Sequence, residues 1–227
     1  MSENENKQPI ELDELVKGNN EIKKDVTIGQ KYLVWVMIAV SVIAIVVIAY
    51  IFAVRQPGIK ASNEAISQAD ITLSEGNDSL ALAQYTQVAN QYGYDAGNRA
   101  ALMAATLNYK KGDYQAAINN LKDFSAKESI VGAAAYSLEG DCYVNLKNYS
   151  EALSCYDKAI SQSDNNALYT PLFLMKKATV LREQKDYKGE LKTLQTIKSE
   201  YPEYAANYRL DIDKYIARAE YQAGETK

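Results

Sequence analysis

Histidine is absent from this 227-residue chain, and its absence excludes a good deal. Ser-His-Asp and Cys-His catalysis are ruled out, and the commonest zinc ligand is missing. Only two cysteines are present, Cys142 and Cys155, too few for a tetrahedral all-cysteine metal site. Four prolines and eleven glycines are few for an all-β chain, which needs many tight turns. No strong excess of one charge exists either. A net charge of -4 and a pI near 5.1 imply neither a nucleic-acid-binding surface nor a strongly acidic tail. The phosphate-cradling G-x-x-x-x-G-K-[ST] loop, the G-x-G-x-x-G turn and the G-x-S-x-G elbow are all missing. No Asp/Glu pair stands out from the charges expected on solvated helices. An enzyme is therefore not expected, and neither is a cofactor, a metal, a nucleic acid or a small-molecule substrate.

One long hydrophobic run is present. Tyr32 to Val54 contains no charged residue, and Lys31 and Arg55 bound it. As a helix it spans about 35 Å, enough for a hydrocarbon core of roughly 30 Å. Tyr32, Trp35 and Tyr50 lie towards its ends, where aromatic rings suit the interface. A cleaved signal peptide fits poorly, because the run is long, a polar segment precedes it and no convincing A-x-A site follows. Lys17, Lys23, Lys24 and Lys31 precede the run closely, whereas only Arg55 and Lys60 follow it. The positive-inside bias keeps the N-terminal side in the cytoplasm. The expected domains are a flexible cytoplasmic tail over 1–30, a transmembrane helix over 31–55 and an extracytoplasmic domain over 56–227.

Beyond the run the sequence repeats itself. Gly112-Asp113-Tyr114-Gln115-Ala116-Ala117-Ile118 is echoed by Lys147-Asn148-Tyr149-Ser150-Glu151-Ala152-Leu153 and by Lys185-Asp186-Tyr187-Lys188-Gly189-Glu190-Leu191, with the tyrosines at intervals of 35 and 38 residues. A period near 34 with helix-forming composition is that of stacked helix pairs. Ala105, Gly140 and Ala178 occupy the small position of the first helices. Ala117 and Ala152 occupy that of the second helices, where the last unit has Glu190 instead. That departure predicts looser packing or an exposed edge. Leu121, Tyr156 and Leu194 follow as bulky fillers. A weaker unit precedes these, with a first helix over about Ala61 to Glu75 and a turn at Gly76-Asn77-Asp78. After Pro202, residues Tyr204, Tyr208, Ile212, Tyr215, Ile216 and Ala219 share one face at helical spacing, with Arg209, Asp213 and Arg218 pointing elsewhere. They predict a single capping helix with a polar outer surface. The expected fold is all-α: a transmembrane helix, an α-solenoid of about four helix pairs and a C-terminal cap.

These turns resemble those of the tetratricopeptide family, most closely Gly140-Asp141-Cys142-Tyr143 with Asn148-Tyr149-Ser150-Glu151-Ala152-Leu153. The layout of tail, membrane helix and repeats is similar to the ancillary Sec-translocon subunit family, the YfgM-like proteins. Gly140-Asp141-Cys142-Tyr143-Val144-Asn145-Leu146 and Ile197-Lys198-Ser199-Glu200-Tyr201-Pro202 resemble the versions from Bacteroidota-type bacteria. The resemblance implies a bacterial inner-membrane adaptor or chaperone-like module. Its partners would be translocon components, emerging secretory chains or periplasmic chaperones. A scaffold in another envelope complex, serving outer-membrane assembly or cell division, is the alternative.

Stacked helix pairs offer an inner face built from first helices. Here that face would comprise Arg99, Leu102, Thr106, Tyr109 and Lys110, then Ser137, Asp141, Val144 and Asn145, then Met175, Thr179, Arg182 and Glu183. These side chains are expected to be free of core duty and available to a partner. Some members of the family hold a C-terminal carboxylate with a Lys/Asn clamp, but Thr106 stands at the Asn position and Leu102 at the Lys position. Cys142 and Cys155 flank the turn at Asn148 at similar heights on antiparallel helices. Two readings stay open for them: small buried side chains, or a disulfide permitted by an oxidising compartment.

Overall fold

The computed structural model describes residues 12–122, 124–126 and 129–224, with side chains described from residue 29 onward. Two compact units emerge, residues 1–58 and 59–227. The first holds helix α1 (Leu12–Tyr50), which passes into a short π-helical stretch, Ile51–Arg55. The helical backbone thus starts well before the apolar run and includes residues 12–30 of the segment expected to be a flexible tail. The side chains of Lys17, Lys23 and Lys24 lie outside the described set. From residue 29 on, this is one helix long and apolar enough to cross a membrane, and its apolar window is unburied.

Every regular element among the second unit's described residues is a helix. Its elements are α2 (Gln56–Ser74), which begins just before the unit boundary, α3 (Asp78–Gln91), α4 (Asp95–Lys111), α5 (Tyr114–Leu121), α6 (Ser129–Asn145), α7 (Tyr149–Gln162), α8 (Tyr169–Glu183), α9 (Tyr187–Glu200), α10 (Pro202–Asn207) and α11 (Ile212–Ala223). Four helix pairs result: α2/α3, α4/α5, α6/α7 and α8/α9. Each pair turns in the same way. A residue in the left-handed region ends the first helix: Gly76 (φ 83°), Gly112 (φ 85°), Lys147 (φ 61°) and Lys185 (φ 62°). An Asn or Asp then caps the second. Asn77 accepts from Leu80 N (3.1 Å), Asp113 from Ala116 N (3.0 Å) and Asp186 from Gly189 N (3.0 Å), satisfying a backbone donor that the first turn leaves open. Asn148 occupies the same place without a side-chain bond.

Packing follows the small/large pattern. Ala81, Tyr85 and Val88 meet Ile66 and Ala69 in the first pair. Ala105, Ala117, Ile118 and Leu121 pack with Ala135 and Cys142. Gly140 is small because a Cβ there would lie 2.7 Å from the Tyr156 ring. Leu191, Leu194 and Ile197 pack under the terminal segment. Each fully buried aliphatic side chain of this kind contributes roughly 1.5–3 kcal/mol.

Two expectations fail at the C-terminal end. The cap is not one helix: Arg209 takes a left-handed φ of 51°, and Asp211 caps α11 by accepting from Lys214 N at 3.1 Å. The break separates α10 from α11 and leaves Tyr208 exposed, its ring 4.8 Å from that of Tyr204. Nor is Glu190 a sign of loose packing. It is 1 % exposed and accepts from Arg218 at 2.6 Å. Arg218 therefore points inward and not away from the stack, because the buried carboxylate needs a cation and the cap supplies it.

Candidate partner-binding surface

The thirteen inner-face residues all lie on first helices, as expected, on α4, α6 and α8. These helices neighbour one another, α4 with α6 and α6 with α8. Their side chains divide into two sets. Leu102, Tyr109, Val144 and Met175 are half-buried against core clusters, and the Tyr109 ring meets Tyr114 edge-on at 5.5 Å. Burial pushes the Tyr109 hydroxyl above its usual range, with Asp141 adding to the effect. Ser137 is buried, and Thr106 is turned back onto Leu102 O at 2.8 Å. The expectation that these positions are free of core duty is corrected, because neighbouring repeats approach closely enough to enclose them.

Asp141 is a hub rather than a free charge. It accepts from Tyr156 Oη at 2.7 Å and from Lys176 Nζ at 2.5 Å, while the same ammonium donates to Ser137 Oγ at 2.9 Å. Three helices are tied together: α6, α7 and α8. Arg99 is exposed but paired with Asp70 of α2. Asn145 donates to Asp141 O at 2.8 Å, and Thr179 donates to Met175 O at 3.0 Å. Arg182 lies 3.6 Å from Glu183 on the same helix. Lys110, Asn145, Thr179 and Glu183 remain exposed, and they give the face its accessible chemistry: one cation, one anion and two hydrogen-bonding groups.

Cys142 and Cys155 are both free thiols, both buried. Burial, with Asp141 and Glu139 adding, pushes Cys142 up to about 12. Burial and Glu139 raise Cys155 to about 12, against a lowering by Lys158. Such thiols stay protonated at neutral pH and are poor nucleophiles. Among the described residues, no group of three or more His, Cys, Asp or Glu could hold a metal ion.

Family models described as tetratricopeptide repeat match residues 133–166 and 173–204, which cover α6/α7 and α8/α9 with the start of α10. Those two stretches carry tetratricopeptide repeats. No curated protein matches it in sequence. Among solved structures, the MamA protein aligns at a TM-score of 0.52 with 16% identity, over 72% of this chain and 92% of that one. The nearly identical TPR-like repeats from Podosopora anserina align at 0.54 with 13% identity, over 72% of this chain and 86% of that one. The APC/C hetero-tetramer Cut9-Hcn1 aligns at 0.51 with 19% identity, over 68% of this chain and 29% of that one. At these identities the likeness shows the fold alone. Repeats of this class are generally non-catalytic scaffolds for protein partners.

The stack of helix pairs contains a second, longer period that the sequence reading missed. Asp70 accepts from Tyr85 Oη at 2.5 Å and pairs with Arg99 of the next unit. Asp141 does the same with Tyr156 and with Lys176 of its next unit. Asp70 and Asp141 are 71 residues apart, and so are Tyr85 and Tyr156. The intervening and last units have Thr106 with Leu121 and Thr179 with Leu194 at those places. The signal was available as an Asp followed by a Tyr fifteen residues on, in alternate repeats.

Proposed function

We propose that this chain is a membrane-anchored tetratricopeptide adaptor standing beside the Sec translocon, where its repeats contact emerging secretory chains or periplasmic chaperones. The observation that carries the anchored reading is the uncovered apolar helix. Trp35 is 69% exposed, Ile45 65% and Phe52 71%. A stretch of this length is unfavourable in water, and a bilayer is the environment that matches its dimensions. The Lys/Arg bias about it favours a cytoplasmic N-terminus and repeats on the far side. Stacked repeats presenting an inner face with Lys110, Asn145, Thr179 and Glu183 accessible suit polypeptide partners better than a small cofactor, which needs an enclosed pocket.

The test is crosslinking and copurification from gently solubilised membranes carrying the full chain. Translocon subunits and nascent secretory chains should be recovered. Recovery of a different envelope complex without them would overturn the reading. A cysteine introduced at Ser125, which is exposed, serves topology. An impermeant thiol reagent should reach it without opening the inner membrane. A chain recovered without its apolar segment would show a cleaved signal sequence instead of an anchor.

A further inference from the structure

A cleft of about 360 Å³, whose described lining includes none of the thirteen inner-face residues, lies between the end of α3, the loop into α4, the first turns of α4 and the end of α5. Its volume falls within the range of ligand sites. In a chain with 24% charged residues, none of the described residues lining it carries a charge. Four are asparagines, Asn90, Asn98, Asn119 and Asn120, and Tyr92 and Tyr94 supply aromatic surface.

Asn98 demonstrates what an amide does in this place. Its Nδ2 donates to Ser125 O at 2.9 Å, and its Oδ1 accepts from Ser125 N at 2.6 Å. One side-chain amide thus holds both main-chain groups of a single residue. Asn120 lines the same cleft, and its buried Nδ2 has no hydrogen-bond partner among the described residues. A buried donor without an acceptor costs on the order of 1–3 kcal/mol, so a ligand that supplies a carbonyl recovers a real penalty. Asn119 Oδ1 receives only a long contact, 3.5 Å from Gln115 Nε2, and retains accepting capacity.

We infer that this cleft binds the main chain of an extended, uncharged peptide segment. Amide oxygens and nitrogens complement main-chain N–H and C=O groups alike, as Asn98 does with Ser125. Among the described lining residues, none offers a charged partner to a terminal carboxylate or an acidic side chain. The proposal rests on the protein-binding reading above and adds a site and a ligand class to it.

The experiment uses the full chain in detergent micelles. The probe is a ten-residue Ser/Thr/Val peptide, blocked at both ends, with a central benzophenone side chain. Photolabelling should map by mass spectrometry to the segments containing Tyr92–Asn98 and Asn119–Asn120. Asn120→Leu should reduce labelling at least about fivefold, the loss expected for one buried hydrogen bond. Asn90→Leu, at an exposed position, should also reduce it with the helical melting curve unchanged. A peptide N-methylated beside the photoreactive residue should label poorly. Equal labelling by the N-methylated peptide, labelling elsewhere only, or no labelling of a folded chain would overturn the proposal. So would competition by an N-acetylglucosamine tetramer with no effect of N-methylation, which would make the site a saccharide one. If secretory chains still crosslink in Asn120→Leu membranes while the peptide fails to label the wild-type cleft, the cleft fails and the adaptor reading stands. Peptide labelling of the cleft without any translocon or secretory crosslinks gives the reverse.

Discussion

Arg218 of the terminal helix donates from Nη2 to Glu190 Oε1 at 2.6 Å, and the carboxylate it meets is 1 % exposed. The guanidinium also lies over the Tyr215 ring, 5.1 Å from its centroid. The cap is thereby fastened to the last repeat by charge as well as by the apolar contacts of Ile212, Ile216 and Ala219. Removing only the cation leaves a buried carboxylate uncompensated. Arg218→Ala should therefore cost about 3 kcal/mol, the low end for a broken buried pair, because the Arg218 side chain is 37% exposed and already partly in water. Glu190→Ala restores the residue type found at Ala117 and Ala152. The double variant Glu190→Ala/Arg218→Ala should be more stable than Arg218→Ala alone in urea unfolding. A double variant no more stable than the single one would show that the pair is not what holds the cap.

Gly140 and Tyr156 form a matched small and large pair. A Cβ on Gly140 would stand 2.7 Å from Tyr156 Cε1 and 2.9 Å from Cδ1. Gly140→Ala should destabilise the chain by about 1–3 kcal/mol through overpacking. Two of the three units with alanine at this position carry leucine opposite, Leu121 with Ala105 and Leu194 with Ala178, whereas the first keeps Tyr85 with Ala69. Gly140→Ala combined with Tyr156→Leu should accordingly cost less than the sum of the two changes, and a double-mutant cycle by thermal melting measures the difference. Additivity would mean that the ring moves aside freely.

Alkaline unfolding should begin with the two thiols. Cys142 and Cys155 are raised from 9.0 to about 12 in the fold, chiefly by burial. Between those values the unfolded chain has released the protons and the native chain keeps them, so stability falls as pH rises. The contribution is fully present below about pH 9 and is lost progressively towards about pH 12, at a slope of at most about 1.4 kcal/mol per pH unit for each thiol. Cys142→Ala/Cys155→Ala should flatten the pH dependence of the urea midpoint above pH 9, even with a lower midpoint at pH 7. An unchanged slope would assign alkaline unfolding to other groups. Intact-mass measurement after alkylation of the unfolded chain without reductant should find both thiols modified.

The repeat frame was legible because helix packing constrains it twice, through residue size and through turn chemistry. The turn tyrosines Tyr114, Tyr149 and Tyr187 and the small residues Ala105, Gly140 and Ala178 stand where spacing placed them. The long apolar helix was legible for the same reason, since length and an absence of charge are readable without neighbours. The contacts between units were not. Lys176 reaches Ser137 and Asp141 across more than 30 residues of sequence, and no periodicity of 34 reveals a link that recurs only every second repeat. Arg218 looked like a surface charge because helical phase alone does not show that Glu190 is buried beneath it. The split cap was hidden by Arg209, a residue with no preference for the left-handed turn it adopts.

The same distinction decides how the inner face must be probed. Tyr109 and Met175 are half-buried against core clusters, so replacing them would change stability and partner contact together. Asp141 is worse as a probe. Asp141→Ala strips the acceptor from Tyr156, a tyrosine 2 % exposed, and releases Lys176. It should cost about 2–3 kcal/mol, from a buried hydroxyl left unsatisfied and a lost charge-assisted bond. Lys110 and Glu183 are exposed and lie on different repeats. Lys110→Glu and Glu183→Lys should each shift stability by no more than about 0.5 kcal/mol. If the face recruits a charged polypeptide, the two reversals should change crosslinking yield in membranes in opposite directions, and high salt should erase the difference, because exposed charges are screened over about 8–10 Å. Asp141→Ala should lower the melting point whether or not a partner is present. Crosslinking that ignores both reversals, in chains that melt like the wild type, would move the contact off the inner face and towards the amide-lined cleft or the apolar helix.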